Sequence, residues 1–415
     1  MRLLILSDRI PPENRGGAGE VAWRLALGLH QAGHEVAVVA ATPGPGFEDE
    51  RQGVLTCHLH SAYPERWRAY VSLANPQTLR PFAALLRRLR PQIVHAHNIH
   101  ADLSYEALEV VRHQGLPTVF TAHDVMPFAY HKLRHFVRAD RDEYGADDYR
   151  LPPLYNLWQM RLRYNPLRNP RIGAVLSRTS ARIAPSAALA LALRANGLPS
   201  FQVIHNGVDP AIMQVSPAAI QTLGARLGLE QGQPIVLFAG RLSAAKGMIP
   251  LLTAWRAVLE RLPQARLLLL SATPIDEQLG PSWDDLRHSL VQGGWLSGEA
   301  LAAAYALVRL VVVPSVVFDS FPTVNLEALA AGKPVVATCF GGSRELVRDG
   351  LEGFIINPLR ADVLAERLLV LLSDQALAAR MGEVGRRRIV QDGFSLAHVI
   401  AQHEALYDRL LSHTT

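Results

Sequence analysis

Cysteine occurs twice in 415 residues, at Cys57 and Cys339, and lysine three times, at Lys132, Lys246 and Lys333. Two cysteines make neither a disulfide framework nor a four-thiolate zinc site, which removes redox and structural-zinc chemistry as organising themes. No apolar run reaches the roughly 18 residues that a membrane span needs. The opening MRLLILSD enters a strand-like pattern without the basic segment and small-residue cleavage site of a signal peptide, so a cytoplasmic protein is expected. The scarcity of lysine leaves arginine to carry nearly all the positive charge, and a retained Lys246 suggests a place where a compact ammonium is wanted. A formal charge of +5 is mild for this length and favours an anionic substrate or an anionic membrane surface without choosing between them. With 49% hydrophobic and 19% charged residues the composition is that of an ordinary globular chain, and 415 residues exceed what one core usually serves. Two domains and a cleft follow as the expectation.

What is present is alternation. Short apolar runs, LLILSD, EVAVVAA, QIVHAH and PTVFTAHD in the first half and PIVLFAG, RLLLLSA, LVVVPS and PVVAT in the second, are separated by segments of helical period. Runs of this kind read as parallel strands covered on both faces. The fold class is therefore α/β, with two doubly wound, Rossmann-like domains facing a central cleft. Asn206-Gly207 is a turn signal, and Pro210 and Pro217 discourage regular structure after it. The boundaries expected are 1–210 for the first domain and 211–393 for the second, with a last helix over 394–415 folded back on the first. An insert over 132–182 breaks the rhythm of the first domain.

In open α/β sheets ligands bind beyond the carboxyl ends of the strands, so the residues just after each strand bear the chemistry. After the first strand, Gly16 and Gly17 precede an amphipathic helix, where backbone N–H groups and the helix dipole suit an anion. The loop is not a G-x-G-x-x-G fingerprint and no acid ends the second strand, which disfavours a dinucleotide enzyme. FAGRLSAAKG places Arg241 and Lys246 on one loop, a planar fork and a point charge suited to the oxygens of a diphosphate. In FDSFPTVNLEALAAGKPVV seven residues separate Asp319 from Glu327. A helix over 323–331 would bring the free N–H groups of Thr323 and Val324 to the same anion, flanked by two carboxylates. A ligand with an anion in the middle and hydroxyls at both ends fits that pattern, and a nucleotide sugar is such a molecule.

Taken in order, GGAGEV, TAHD, HNGVD, GRLSAAKG, GWLSGEALAAAYALVRLVVVPS, DSFPTVNLEALAAGKPVVAT and GGSRELVRDGLEGF resemble the retaining glycosyltransferases of family 4, which have the GT-B fold. The resemblance spans nearly the whole chain. It implies that Arg241 and Lys246, with Gly17, Thr323 and Val324, hold the donor diphosphate, that Glu327 binds the ribose, and that Trp295 and Leu296 meet the base. It also implies that His123 lies by the transferred sugar, with Asp319 as its catalytic partner, so that losing Asp319 should lower turnover and leave nucleotide binding nearly unchanged. The family usually carries glutamate where this chain has Asp319, a shorter arm toward the donor sugar. Sugar-nucleotide 2-epimerases of the same fold, and a non-catalytic sugar-nucleotide-binding partner protein, are the alternative readings.

His95 and His97 project from one face of a strand, as a metal pair would. The resemblance implies transfer without a metal or other cofactor, and two cations with a helix N-terminus already neutralise a diphosphate. His97 and Asn98 are then expected on the acceptor side. Six arginines and no acid lie between Arg161 and Arg182, with Trp158 and Tyr164 interleaved. Such a face suits anionic lipid at the inner membrane surface, or a lipid-linked acceptor, as well as it suits plain solvent. No nucleic-acid motif accompanies the charge.

Overall fold

Leu3, Leu4, Ile5 and Leu6 are all buried, on both faces of the strand Arg2–Leu6 (β1), as a parallel strand covered by helices on both sides requires. The computed structural model describes residues 1–13, 17–140, 148–230, 232–275 and 280–412. It divides into two units.

In the first unit β1 is followed by β2 (Glu35–Thr42), β3 (Phe47–Arg51), β4 (Val54–His60), β5 (Ile93–Ala96), β6 (Thr118–Thr121), β7 (Ala181–Ala184) and β8 (Gln202–Val203). Their order across the sheet is β3-β4-β2-β1-β5-β6-β7-β8, parallel throughout except for the antiparallel edge pair β3–β4. One face is covered by the helices Gly17–Gln31 and Leu396–Ser412, whose Leu25, Leu29, Val399 and Leu406 join Leu3, Ile5, Val36 and Val38 in one core cluster. The two helices meet closely: a Cβ built on Gly28 would lie 2.1 Å from Cδ1 of Ile400.

The second unit holds β9 (Ile235–Ala239), β10 (Arg266–Leu270), β11 (Leu290–Gln292), β12 (Leu310–Val313), β13 (Val335–Thr338) and β14 (Gly353–Ile356), all parallel, in the order β11-β10-β9-β12-β13-β14. Successive residues of β9 alternate between two cores, Ile235 and Leu237 on one side, Val236 and Phe238 on the other. That is the period-two geometry of a strand with both faces buried.

Two points differ from the sequence reading. The first unit runs to Asn206 and resumes with the last helix from Leu396, and residues from Leu133 to 140 group with the second unit, whereas the sequence places the whole insert in the first. The reason is visible in the bonding. Phe318 N donates to Leu133 O at 2.9 Å and Asn357 Nδ2 to Arg138 O at 2.8 Å, while Leu133 itself is fully buried. The other difference concerns the arginine face. Arg168 is buried, donates to Met126 O at 2.7 Å and lies over the Tyr130 ring at 4.9 Å. Arg171 pairs with Glu106 and Arg178 with Glu109, while Arg182 donates to the carbonyls of Leu176, Thr179 and Ser200. The acids missing from the segment are supplied by the helix Glu106–His113, so four of the six arginines are structural.

Candidate active site

Each sheet reverses its winding once, between β1 and β5 in the first unit and between β9 and β12 in the second. Loops leaving neighbouring strands at such a point diverge and leave a crevice, which is where open α/β sheets bind ligands. The polar residues singled out from the sequence cluster there.

In the second unit the loop after β9 carries Arg241 and Lys246, and the loop after β12 carries Ser315 and Asp319. Lys246 Nζ donates to Asp319 Oδ2 at 2.5 Å, and Ser315 Oγ donates to the same oxygen at 2.8 Å. The pair is partly shielded, with 29% of the lysine side chain and 14% of the aspartate side chain exposed, so its charges are less screened than on an open surface. Arg241 is exposed and makes no ion pair or side-chain hydrogen bond among the described residues. A helix over Thr323–Ala330 follows Pro322, which offers its first turn no side-chain cap, so the N–H groups of Thr323 and Val324 keep no side-chain acceptor there. Glu327, one turn in, is buried and accepts a hydrogen bond from Tyr305 Oη at 2.9 Å. Trp295 is half exposed, whereas Leu296 packs against the core of the unit.

Two glycines hold the Lys246–Asp319 pair in place. Gly247 has φ +81°, and a Cβ on it would fall 1.8 Å from Pro314 O, while Gly341 has φ +105° and its Cβ would fall 2.1 Å from Asp319 O. Any side chain at either position would collide with the backbone of the loop after β12.

In the first unit Gly17 is the first residue of its helix, and Gly16 lies outside the described residues. The ends of β5 and β6 bring His97, Asn98 and His123 together. His97 Nδ1 and His123 Nε2 are 2.7 Å apart, His123 N donates to Asn98 Oδ1 at 3.2 Å, and Asn98 Nδ2 donates to Asp124 Oδ2 at 2.9 Å. The imidazoles stack in series, His95 on His97 at 4.4 Å and His97 on His123 at 5.0 Å, with His403 of the last helix on the other side of His95 at 5.5 Å. Burial lowers the pKa of His97 well below its ordinary value and brings that of His123 to about 4, so both are neutral near pH 7. For Asp124 burial alone would raise the pKa, but His100 and the Met126 amide hold it below the ordinary carboxylate value. His95 is not available as a metal ligand: its Nδ1 is bonded to Tyr407 Oη at 2.6 Å and its Nε2 to Thr121 Oγ1 at 2.7 Å. Neither nitrogen keeps a free lone pair.

Several residues here escaped the sequence reading. Tyr305 was legible in principle, because a tyrosine inside the apolar helix Gly298–Leu307 needs a partner for its hydroxyl. Asp8 sits after β1, and its carboxylate accepts from the backbone N–H groups of Ala101, Asp102 and Leu103 at 2.7 to 2.8 Å. Burial raises its pKa. Tyr407 and His403 reach the site from more than 300 residues away in sequence, which no local pattern signals.

Two family models match in succession, Glycosyltransferase Family 4 over residues 15–212 and Glycosyl transferases group 1 over residues 220–388. An uncharacterised glycosyltransferase of Methanocaldococcus jannaschii is 32% identical over 42% of this chain and 45% of its own length, so the match spans less than half of that relative. Alpha-maltose-1-phosphate synthase of Mycolicibacterium smegmatis is 24% identical over 99% of this chain and 100% of its own. Among solved structures, Anabaena HepE in complex with UDP-glucose superposes with a TM-score of 0.70 at 20% identity, covering 98% of this chain and 100% of that one. Two consecutive family models, and two parallel sheets with their polar loops at the reversal points, place the chain in glycosyltransferase family 4, with the GT-B fold.

Proposed function

We propose that this glycosyltransferase moves a sugar from a nucleoside-diphosphate donor to a hydroxyl acceptor, with retention at the anomeric carbon and without a metal ion. The observation that carries the reading is the cation set at the β9/β12 reversal: Lys246 on Asp319, Arg241 unpaired, and an uncapped helix start at Thr323. A leaving diphosphate gathers negative charge as the glycosidic bond breaks, and positive groups already fixed around it stabilise that charge without reorganising. In this reading Arg241, Lys246 and the first-turn N–H groups of Thr323 and Val324 hold the diphosphate. Glu327, with one oxygen oriented by Tyr305, accepts from the ribose hydroxyls, and Trp295 offers its face to the base. In the second unit Asp319 is assigned to the transferred sugar; in the first unit His123, a neutral imidazole, is assigned to catalysis, and Asn98 and His97 to the acceptor. That HepE was solved with UDP-glucose makes uridine donors the first to try. Peripheral attachment to anionic lipid rests on a separate observation, the exposed Leu154, Trp158 and Leu167 in the segment that also carries the exposed Arg161 and Arg163.

A panel of radiolabelled nucleotide sugars with mixed hydroxyl acceptors tests the proposal. Transfer that persists in EDTA and gives the donor's anomeric configuration by NMR is the expected result. Epimerised donor, binding without turnover, an inverted product or an absolute need for added Mg2+ would each overturn the corresponding part. Sedimentation with phosphatidylserine vesicles, released by high salt, is expected for the lipid contact, and equal binding to neutral vesicles would refute it.

A further inference from the structure

The first unit holds an open cavity of about 540 Å3 beyond the ends of β1, β2, β4 and β5, whose walls include Asp8, Arg9, Ser61, Arg68, His100 and Asp102. Its volume lies within the roughly 300–1,000 Å3 typical of small-molecule sites. Most of its charged walls are already spoken for. Asp8 is filled by three backbone N–H groups. Asp102 accepts from Arg9 at 3.1 Å and from Ser61 at 2.9 Å, and Arg9 also donates to Ala41 O at 3.1 Å. Tyr63 donates to Ala101 O.

Arg68 is different. It opens the short helix Arg68–Val71, and its guanidinium makes no ion pair and no hydrogen bond among the described residues, not even with Glu65 three residues earlier. Its Nε is buried without a partner. On the same wall His100, which is only 5% exposed, also has a buried Nδ1 without a partner. A buried N–H that pairs with nothing is costly, and a guanidinium so placed is a fork awaiting a bidentate anion. Ala18 and Gly19, in the first turn of the helix Gly17–Gln31, line the same cavity, and the one acid of that turn, Glu20, is bound to Arg24 at 2.8 Å. Helix start and guanidinium therefore both offer N–H donors and partial or full positive charge to one small, polar space, which Glu65 also lines.

We propose that this cavity takes an acceptor that bears a phosphate group as well as hydroxyls, and that Arg68 selects for the phosphate. The proposal rests on the glycosyltransferase reading only in calling the ligand an acceptor, because the binding chemistry needs no donor. A soluble sugar phosphate and the headgroup of a phospholipid both present that chemistry.

Calorimetry on the full chain, without donor, separates them. The soluble arm titrates glucose 1-phosphate, glucose 6-phosphate, fructose 6-phosphate and inositol 1-phosphate against their parent sugars or polyol, with inorganic phosphate as a competitor. The lipid arm compares phosphatidylinositol in phosphatidylcholine vesicles with phosphatidylcholine alone. At least one phosphorylated probe is expected to bind about ten- to a hundredfold more tightly than its parent, the scale of one charge-assisted pair, and Arg68→Gln is expected to abolish that preference. Arg66→Gln, on the same segment but outside the cavity, should keep it, as should the thermal melt of each variant. If no probe in either arm shows a phosphate preference, or if the preference survives Arg68→Gln, the proposal fails. UDP binding is measured in parallel: its loss would count against the donor reading, and its persistence in Arg68→Gln shows that the two sites are separate.

Discussion

Asp319→Asn removes one negative charge and almost no volume, and it divides two accounts of the ion pair. If Asp319 only contacts the transferred sugar, nucleotide binding should not change, which is what the sequence implied. The structure adds that the carboxylate is bound to the very ammonium assigned to the diphosphate, at 2.5 Å. Two unit charges about 4 Å apart attract by about 4 kcal/mol at an effective dielectric near 20. Partial exposure and desolvation reduce the net pair to about 1–2 kcal/mol. A diphosphate arriving at Lys246 must share that ammonium with Asp319 and also sits beside a like charge. Removing the charge is therefore expected to tighten binding of a free nucleotide diphosphate by roughly tenfold, or about 1.4 kcal/mol. Stability should fall by about 1 kcal/mol, since the asparagine oxygen still accepts from Ser315 Oγ. Turnover should fall as well, because the donor sugar loses a contact. Calorimetry with UDP, a thermal melt and steady-state rates on the same preparation check all three. Weaker nucleotide binding in Asp319→Asn would refute the competition and make the carboxylate part of the binding site itself.

Tyr305→Phe removes the hydrogen bond from Tyr305 Oη to Glu327 while keeping the buried ring, and is expected to weaken UDP binding by about 1–2 kcal/mol with little change in turnover at saturating donor; an unchanged Kd in calorimetry would detach Tyr305 from the site. Arg241→Ala takes away an exposed, unpaired cation, so a hundredfold or larger loss of kcat is expected with an unaltered melting temperature, and wild-type turnover would remove Arg241 from the diphosphate. The histidine stack sets a pH dependence. His123 and His403 have pKa values lowered by burial from about 6.5 to about 4, so between those values the unfolded chain binds protons that the folded chain refuses, and stability rises with pH across that window. Thermal melts from pH 7 to 4 should therefore show a progressive loss below about 6.5, up to a few kcal/mol per histidine, and a flat profile would contradict neutral, buried imidazoles.

The inner strands were legible because burial on both faces leaves continuous apolar sequence, as in Ile235–Ala239 and Leu310–Val313. The strands that escaped notice lack that signature. VLTCHLH (Val54–His60) is largely buried yet carries two histidines, a cysteine and a threonine, and its partner FEDER (Phe47–Arg51) is almost entirely polar, because this outermost strand of the sheet keeps contact with solvent. Arginine clustering misled for a related reason. Sequence shows which charges lie near one another along the chain, but Glu106 and Glu109 come from a different helix, and only the fold turns Arg171 and Arg178 from a basic face into salt bridges.

Site residues divide along the same line between local and non-local information. Lys246, Asp319 and Glu327 could be found because each stands in the loop just after a strand or one turn into the helix that follows one, where chain direction alone brings side chains to the functional edge. What sequence could not give was their state of charge pairing, which depends on two loops meeting. That meeting is dictated by glycine. Gly247 and Gly341 lie almost a hundred residues apart, yet each presses its backbone against the loop after β12 at a spacing that admits no Cβ, one against Pro314 and the other against Asp319. A positive φ at each lets the chain turn back at that distance. The ammonium and the carboxylate are thus held in register by backbone contacts on both sides of a single loop, so the placement of charge in the second unit is set by main-chain geometry before any ligand contributes. The first unit reaches the same end differently, by satisfying Asp8 with three backbone N–H groups and Asp102 with Arg9 and Ser61, so that among the described residues Arg68 is left as a cation of the cavity without a partner.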